Sequence, residues 1–401
     1  MAAHSRDMYR SGRWKQKLAA AGGCLVMTVI NMVWTSGQNV RPERTHLKFL
    51  APAGGAQAYA NHSWQLTPGR SMGLAAGAAI CGDEVFLVDT ANRAVQHFSL
   101  PDGRLVGSLG PRGDGTSDLQ APLALAADCD SHMLYVVGRD GVAQVNVESN
   151  ALIRRFPRPS AFARSVGSAF VDRESRRLYV PGLWMPAAHN WLGERLGNML
   201  EGNRIGWTVD LVTGGSAPML GSIERGCWSS QPDCVSVRLD RVVPPRREAW
   251  VAAHSVSTQV GLFDRDYRLV RTIDVRSPLF LEDGRWHRRS EPFEQRMAWN
   301  ETNSTIRGVY AFGGNLITIH TRQATRNWKR HEQIDFDVFM NVHSLDGEGI
   351  VSDIRLPDLP VARDDENLYV LDYGPGGRRR VGSGPVTLIS IPVATNVSIF
   401  R

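Results

Sequence analysis

Few of the motifs that define a metal or phosphate site occur in this chain. Its five cysteines include no CxxC pair, and His320, His331 and His343 do not have the HxH, HxxxH or HExxH spacing of zinc ligands. The Gly-rich segment 374–380 lacks the GK[ST] ending of a phosphate-binding loop. We therefore predict no metal ligand and no bound cofactor, and the sequence identifies no catalytic residue.

A strong excess of positive charge is also missing once the first residues are set aside. The whole chain carries a formal charge of +6, but residues 1–37 hold five Lys or Arg and one Asp, which leaves +2 on the remainder. Proteins that bind nucleic acid concentrate basic charge on one surface or segment. We therefore expect no nucleic-acid partner.

One long apolar run occurs, at residues 18–34, and basic residues precede it. A basic start, an uncharged apolar stretch and the small residues Thr35, Ser36 and Gly37 are typical of an export signal. A retained anchor with its basic end in the cytoplasm is the alternative. In both cases we expect an extracytoplasmic protein, whether periplasmic, secreted or membrane-anchored, that contacts a membrane only through this segment if it stays uncleaved.

Four cysteines remain beyond residue 37, an even number that is compatible with disulfides in an oxidising compartment. Buried free thiols are the alternative, because a large core needs no covalent cross-link. Gln231-Pro232 lies between Cys227 and Cys234 and can turn the chain back. We predict that these two cysteines can form a disulfide.

Short β-type runs separated by Gly, Asp, Asn and Pro fill the chain from Ser71 onward. Val85–Asp89 is followed by a turn, by Ala94–Phe98, by a second turn and by Leu105–Leu109. The same order occurs about six times in all, with later copies near residues 133–156, 177–211, 249–273, 316–356 and 367–391. The pattern predicts an all-β fold, a six-bladed β-propeller of four-stranded antiparallel meanders.

The repeats divide the chain into four parts. We assign residues 1–37 to the signal or anchor, 38–70 to a lead-in segment that can add a strand, 71–393 to one closed propeller and 394–401 to a C-terminal tail. No linker-like run of Pro, Ser or charged residues separates the repeats, which favours a single domain.

The best-defined repeat lies in residues 85–122. Its first strand ends in Asp89, the next turn carries Asn92, the second strand ends in Phe98, and Gly- and Pro-containing turns follow. This pattern resembles the NHL repeat and the related bacterial six-bladed propellers, with a good match over residues 71–157 that weakens afterwards. The resemblance implies the propeller fold and very little about a substrate. We expect Asp89 and Asn92 to bond their own turn, as such side chains commonly do.

Four connections are longer than the repeat requires. Residues 182–205, 321–334 and 372–385 join a second strand to a third, and residues 277–299 join one blade to the next. Both classes of connection open on the same face of a propeller, so we predict that the four insertions surround the channel entrance on one side. Because aromatic and Arg residues concentrate binding energy, we select Trp184, Trp191, Trp286 and Arg289 as candidate ligand contacts. In the alternative view, these loops only pack on one another.

Two functions remain. The first is a binding or scaffold protein that recognises a peptide, polysaccharide or protein through the loop-rich channel face. The alternative is a metal-dependent hydrolase or lyase, such as a lactonase, because some six-bladed propellers collect Asp, Asn and Glu around the channel to bind calcium. Calcium would be the cofactor of that enzyme, and a metal assay on the purified protein separates the two functions.

Overall fold

The structure is a computed structural model that describes residues 62–68, 75–110, 122–159, 162–165, 169–184, 204–219, 237–242, 247–255, 257–281, 303–323, 336–374 and 385–393. These residues belong to one compact unit, Phe49–Arg401. The signal or anchor segment and the C-terminal tail lie outside the described residues. In the part of the chain that is described, no helix is both long and apolar enough to span a membrane.

The first three blades follow one another along the chain. Blade 1 contains β2 (Ala75–Cys81), β3 (Glu84–Asp89), β4 (Ala94–Ser99) and β5 (Leu105–Leu109). Blade 2 contains β6 (Ala124–Asp128), β7 (Met133–Val137), β8 (Gly141–Asn146) and β9 (Ala151–Pro157), with a short 3-10 helix at Cys129–Ser131. Blade 3 contains β10 (Phe162–Ser165), β11 (Phe170–Asp172), β12 (Arg177–Trp184), β13 (Arg204–Asp210) and β14 (Ser216–Pro218), and both β10 and β11 pair with β12.

The last three blades complete the ring. Blade 4 contains β15 (Val237–Arg241), β16 (Trp250–His254), β17 (Gln259–Phe263) and β18 (Leu269–Asp274). Blade 5 contains β19 (Thr305–Phe312), β20 (Asn315–Gln323), β21 (Phe336–Ser344) and β22 (Gly349–Leu356). Blade 6 contains β23 (Pro360–Arg363), β24 (Asn367–Asp372) and β25 (Val386–Pro392), and its outermost strand is β1 (His62–Leu66). Six antiparallel blades, five with four strands and blade 3 with five, confirm the predicted all-β propeller.

The two faces of the propeller differ in the connections that they carry. Because neighbouring strands are antiparallel, connections from a second strand to a third and from one blade to the next end on one face, here called the loop face. Connections from a first strand to a second and from a third to a fourth end on the opposite face, here called the turn face. On the turn face Asp carboxylates repeatedly close the turns, as Asp210 does by accepting the N–H groups of Val212 at 2.9 Å and Thr213 at 2.8 Å.

The core lies between the blades, and the period-2 alternation of each strand determines which neighbour a side chain contacts. In β3, Val85 and Leu87 pack with Leu371 and Leu388 of blade 6. The alternate residues Phe86 and Val88 pack instead with the apolar side chains of blade 2, which include Leu125, Leu134 and Val136. Each strand therefore contributes to two interfaces.

The ring is closed between blade 6 and blade 1. β1 pairs with β25 along its whole length, from His62 opposite Ser390 to Leu66 opposite Val386. The lead-in segment thus adds a strand to the propeller.

Just beyond β1, the N–H of Thr67 donates to the carbonyl of Gly103 in blade 1 at 3.0 Å. Gly103 has φ +64, and a Cβ at this position would lie 1.9 Å from the carbonyl oxygen of Gln65. Only glycine fits at this contact.

Blades 1 and 2 are linked covalently. Cys81, at the end of β2, and Cys129, directly after β6, form a disulfide with a Cα–Cα distance of 5.3 Å. Both cysteines lie at the turn-face ends of innermost strands. The two residues occupy equivalent positions in consecutive repeats, 48 residues apart in sequence, and only the propeller ring brings them together.

Candidate functional site

A channel runs along the innermost strands of the six blades and encloses about 600 Å³. Every blade contributes to its wall, through residues of β2, β6, β11, β15, β19 and β23. A volume of this size is within the range of small-molecule sites. The channel is therefore a candidate binding site to which all six blades contribute.

The channel wall is asymmetric. Blades 1 and 2 present mainly small apolar residues, as in Ala78, Ala79, Ala126 and Ala127. All the charged residues among the described lining belong to blades 4, 5 and 6, and they are Asp240, Arg307, Arg363, Asp364 and Asp365. A ligand in this channel would meet an apolar wall on one side and a charged wall on the other.

On the charged side of the channel, an ion pair joins blades 4 and 6, and both of its members also bond to blade 5. Arg363 of β23 contacts Asp240 of β15 at 3.1 Å, and it also donates to the carbonyl of Ala311 in β19 at 3.0 Å. Asp240 accepts the N–H of the same Ala311 at 2.8 Å. Burial raises the pKa of Asp240, and Arg363 together with the N–H of Ala311 opposes that rise. The carboxylate is thus held by two partners inside the wall.

Arg307 lies nearer the loop-face end of β19, because the innermost strands begin on that face. Its guanidinium stands 5.8 Å from the ring centre of Phe336, the first residue of β21. Phe336 lies two residues after the end of the insertion 321–334. Arg307 therefore connects the channel wall to the base of one of the four insertions.

The four insertions lead away from strand ends on the loop face. Their flanking strands are β12 and β13, β18 and β19, β20 and β21, and β24 and β25. Trp184 is the last residue of β12 and pairs with Arg204 across that connection. Trp191, Trp286 and Arg289 lie outside the described residues, as do most of the insertions themselves. Their role in ligand contact stays a prediction.

Asp89 and Asn92 bond within their own turn, as expected from the sequence. Asp89 is fully buried, and its Oδ1 accepts the N–H groups of Ala91 and Asn92, each at 3.1 Å. Its Oδ2 accepts the side-chain amide of Asn92 at 2.7 Å and that of Gln96 at 2.5 Å. These bonds fix the turn between β3 and β4.

A buried polar cluster lies between blades 4 and 5. Asp353 accepts the hydroxyl of Ser277 at 2.8 Å, and Nε2 of His320 is 3.7 Å from the same carboxylate. Burial lowers the pKa of His320 to about 4, and its ring stacks on Phe339 with centroids 5.2 Å apart. Ser277 donates to the carboxylate and not to the imidazole, so the three residues are not arranged as a nucleophilic triad.

Two features escaped the sequence analysis. Cys81 and Cys129 were not paired there, although Cys81 ends the innermost strand of blade 1 and Cys129 directly follows that of blade 2. Cys227 and Cys234 lie outside the described residues, and their disulfide stays a prediction. Residues 69–73 also have the GxSxG form of a nucleophile elbow, and they lie between β1 and β2, outside the described residues.

A calcium site would need several oxygen ligands that converge on one point. Among the residues that the structure describes, no group of three or more His, Cys, Asp or Glu could hold a metal ion. Asp240 already binds Arg363 and Ala311, and Asp364 accepts the N–H groups of Glu366 and Asn367 in its own turn. These two carboxylates are therefore bound to groups of the protein itself.

No family model matches this chain, and no curated protein matches it. Solved structures do match. A member of the DUF4221 family from Bacteroides vulgatus is similar with a TM-score of 0.58 and 12% identity, over 82% of this chain and 96% of that one. The calcium-binding protein regucalcin from Agrobacterium tumefaciens gives a TM-score of 0.47 and 11% identity, over 82% of this chain and 95% of that one. Likeness at these identities shows the fold alone.

Proposed function

We propose that this protein is an extracytoplasmic binding or scaffold propeller that captures a peptide, polysaccharide or protein ligand at the loop face of its channel. The observation that carries the proposal is the contrast between the two faces. Every turn-face connection between consecutive strands is short, and the longest runs from residue 242 to residue 249. The four insertions all belong to loop-face connections, and repeat proteins commonly bind through the face that carries their insertions.

The channel wall gives further support. Arg307 stands beside Phe336 at the base of one insertion, so a ligand held by the insertions can also reach charged groups in the channel. The small side chains of blades 1 and 2 leave space opposite that charge. An apolar wall with a few polar groups is the usual composition of a small-molecule or side-chain site.

The disulfide supports the proposed location. Disulfides persist in oxidising compartments and are rare where thiols are kept reduced. The Cys81–Cys129 bond joins two blades of the propeller. A basic, apolar N-terminal segment before such a domain is consistent with export.

The proposal is tested by ligand selection followed by matched variants. The purified propeller is screened on a glycan array and against a random-peptide phage library, and the affinity of each selected ligand is measured by calorimetry. Trp286→Ala or Arg289→Ala should weaken binding by about 30-fold, the usual effect of removing an interface hot spot, and should leave the melting temperature nearly unchanged. Arg104→Ala is the control, because Arg104 lies on the turn face and is largely exposed.

Two results would contradict the proposal. A large loss of stability in the Trp286 and Arg289 variants, with unchanged affinity, would show that the insertions only pack on one another. Stoichiometric calcium in the purified protein, together with hydrolysis of lactones or esters, would favour the enzymatic alternative.

A further inference from the structure

A second pocket, of about 310 Å³, opens on the turn face between blades 3 and 4. Its wall comes from the turn after β11, from β12 and β16, and from the turn between β17 and β18. We propose that this pocket is a binding site for an acidic sugar, a pyranose ring that carries a carboxylate. The site is separate from the loop-face site proposed above.

The floor of the pocket is aromatic. Tyr179 and Trp250 are almost completely buried, and their ring centroids lie 4.6 Å apart. Tyr267 extends this surface, with its ring 6.1 Å from that of Trp250. Tyr179 and Trp250 support this surface from below, and the half-buried ring of Tyr267 is the aromatic face that can pack against the apolar face of a ligand ring.

Tyr267 is held in an unusual backbone conformation. Its φ is +64, a region that large L-residues rarely adopt and that costs about 1–3 kcal/mol. The turn enforces it, because Asp264 accepts the N–H groups of Asp266 at 3.0 Å and Arg268 at 2.9 Å. Strained residues of this kind cluster at binding sites. The strain is consistent with a residue retained for its side chain in the pocket.

The charges around the pocket indicate what the ligand carries. Arg241 contacts Asp172 at 3.5 Å, and Glu248 contacts Arg271 at 3.2 Å, so these charges are paired. Arg265 and Glu174 have no ion-pair partner among the described residues, and Arg177 lies beside Tyr267, where it opposes the rise that burial causes in the pKa of the phenol. Because Arg177 already hydrogen-bonds to the Tyr267 phenol, the charged groups that remain available at the mouth are the guanidinium of Arg265 and the carboxylate of Glu174.

This combination fits a carboxylated sugar better than a neutral one or a cation. A guanidinium binds a carboxylate through two parallel hydrogen bonds, and Arg265 supplies such a group. Glu174 can accept hydrogen bonds from ring hydroxyls, and the half-buried ring of Tyr267 packs against the ring face. Each part of the pocket then has a partner on the ligand.

The test uses a matched pair of probes, methyl α-D-galacturonoside and methyl α-D-galactoside, which differ at the carboxylate. Ligand-observed saturation-transfer NMR titrations on the full chain should show the acid binding at least about tenfold more tightly, a difference that weakens with salt. Arg265→Gln should reduce the affinity for the acid about tenfold. Arg268→Gln, in the same turn but outside the pocket lining, should change it less than about twofold.

A second variant separates binding from folding. Tyr267→Asn removes the ring but tolerates the positive φ, so it should abolish binding of the acid, while relief of the backbone strain offsets part of the packing lost beside Trp250 and the protein stays folded. Equal binding of the two probes, no binding of the acid at 20 mM (roughly the limit set by a weak monosaccharide affinity), or unchanged affinity in both Arg265→Gln and Tyr267→Asn would overturn the proposal.

Discussion

Asp240 of blade 4 and Arg363 of blade 6 form an ion pair at 3.1 Å inside the channel wall, and Ala311 of blade 5 bonds to both of them. One carboxylate and one guanidinium therefore hold three blades in position around the channel. Since Asp240 is almost fully buried, the pair has little solvent screening.

Breaking the ion pair between Asp240 and Arg363 should lower the free energy of unfolding. Arg363→Met leaves the buried charge of Asp240 without its partner, and we expect a loss of about 3–5 kcal/mol in the free energy of unfolding, measured by urea titration at pH 7. The double variant Asp240→Asn/Arg363→Met removes both charges and should recover part of that loss. A loss below about 1 kcal/mol in the single variant would show that the ion pair does not hold the blades together.

The Cys81–Cys129 disulfide should stabilise the folded protein, because it cross-links blades 1 and 2. Replacing Cys81 and Cys129 by Ser releases a loop of 48 residues, and the chain-entropy estimate for that length is about 4 kcal/mol. Non-reducing peptide mapping should find the Cys81–Cys129 pair in the wild-type protein. The matched variant, Cys227→Ser/Cys234→Ser, should cost only about 2–3 kcal/mol because its loop is much shorter. A map with Cys81 and Cys129 as free thiols would contradict the cross-link.

Ring closure should depend on one glycine. A Cβ at Gly103 would clash with the carbonyl of Gln65, so we expect Gly103→Ala to cost more than about 3 kcal/mol and to increase hydrogen exchange in β1. Gly82 is the control, since it also has positive φ, +56, but has no atom within 4 Å of the added Cβ. Gly82→Ala should cost only about 1–2 kcal/mol. Equal losses in the two variants would argue against this closure.

Stability should fall as the solution becomes mildly acidic. Burial lowers the pKa of His320 and of His343 to about 4, below the ordinary value of 6.5. A lowered histidine pKa means that the unfolded chain binds more protons, so the contribution of each neutral ring is complete above pH 6.5 and is lost as the pH falls toward 4. The loss reaches up to about 3 kcal/mol for each ring.

Urea unfolding at pH 7.5, 6.5, 5.5 and 5 measures this loss. His343→Leu should flatten the dependence on pH. The carboxyl groups of Asp240 and Asp353 act in the opposite direction, because burial raises their pKa values. A pH-independent free energy of unfolding between pH 7.5 and 5 would contradict the burial of neutral histidines.

Sequence reasoning located the second, third and fourth strands of most blades well. Val85–Asp89, for example, agrees with β3 at Glu84–Asp89. The innermost strands were harder to find, because a run such as Ala75–Cys81 consists mainly of Ala and Gly, which have low intrinsic β-propensity. Packing between two neighbouring blades stabilises such a strand, and that context is absent from the local sequence.

The site was less predictable than the fold. Asp240 and Arg363 are far apart in sequence, and only closure of the ring brings them together. The Cys81–Cys129 pair has the same origin. The lengths of the insertions, in contrast, could be predicted from the sequence, because the repeat pattern predicts where each strand begins and ends.

Hydrogen–deuterium exchange with and without a ligand selected on the glycan array or from the peptide library tests binding at the loop face most directly. Bound ligand should slow exchange in residues 182–205, 277–299, 321–334 and 372–385 and in the start of β19 around Arg307, with the turn-face connections unchanged. Slower exchange confined to turn-face connections such as 242–249, for every selected ligand, would contradict binding at the loop face.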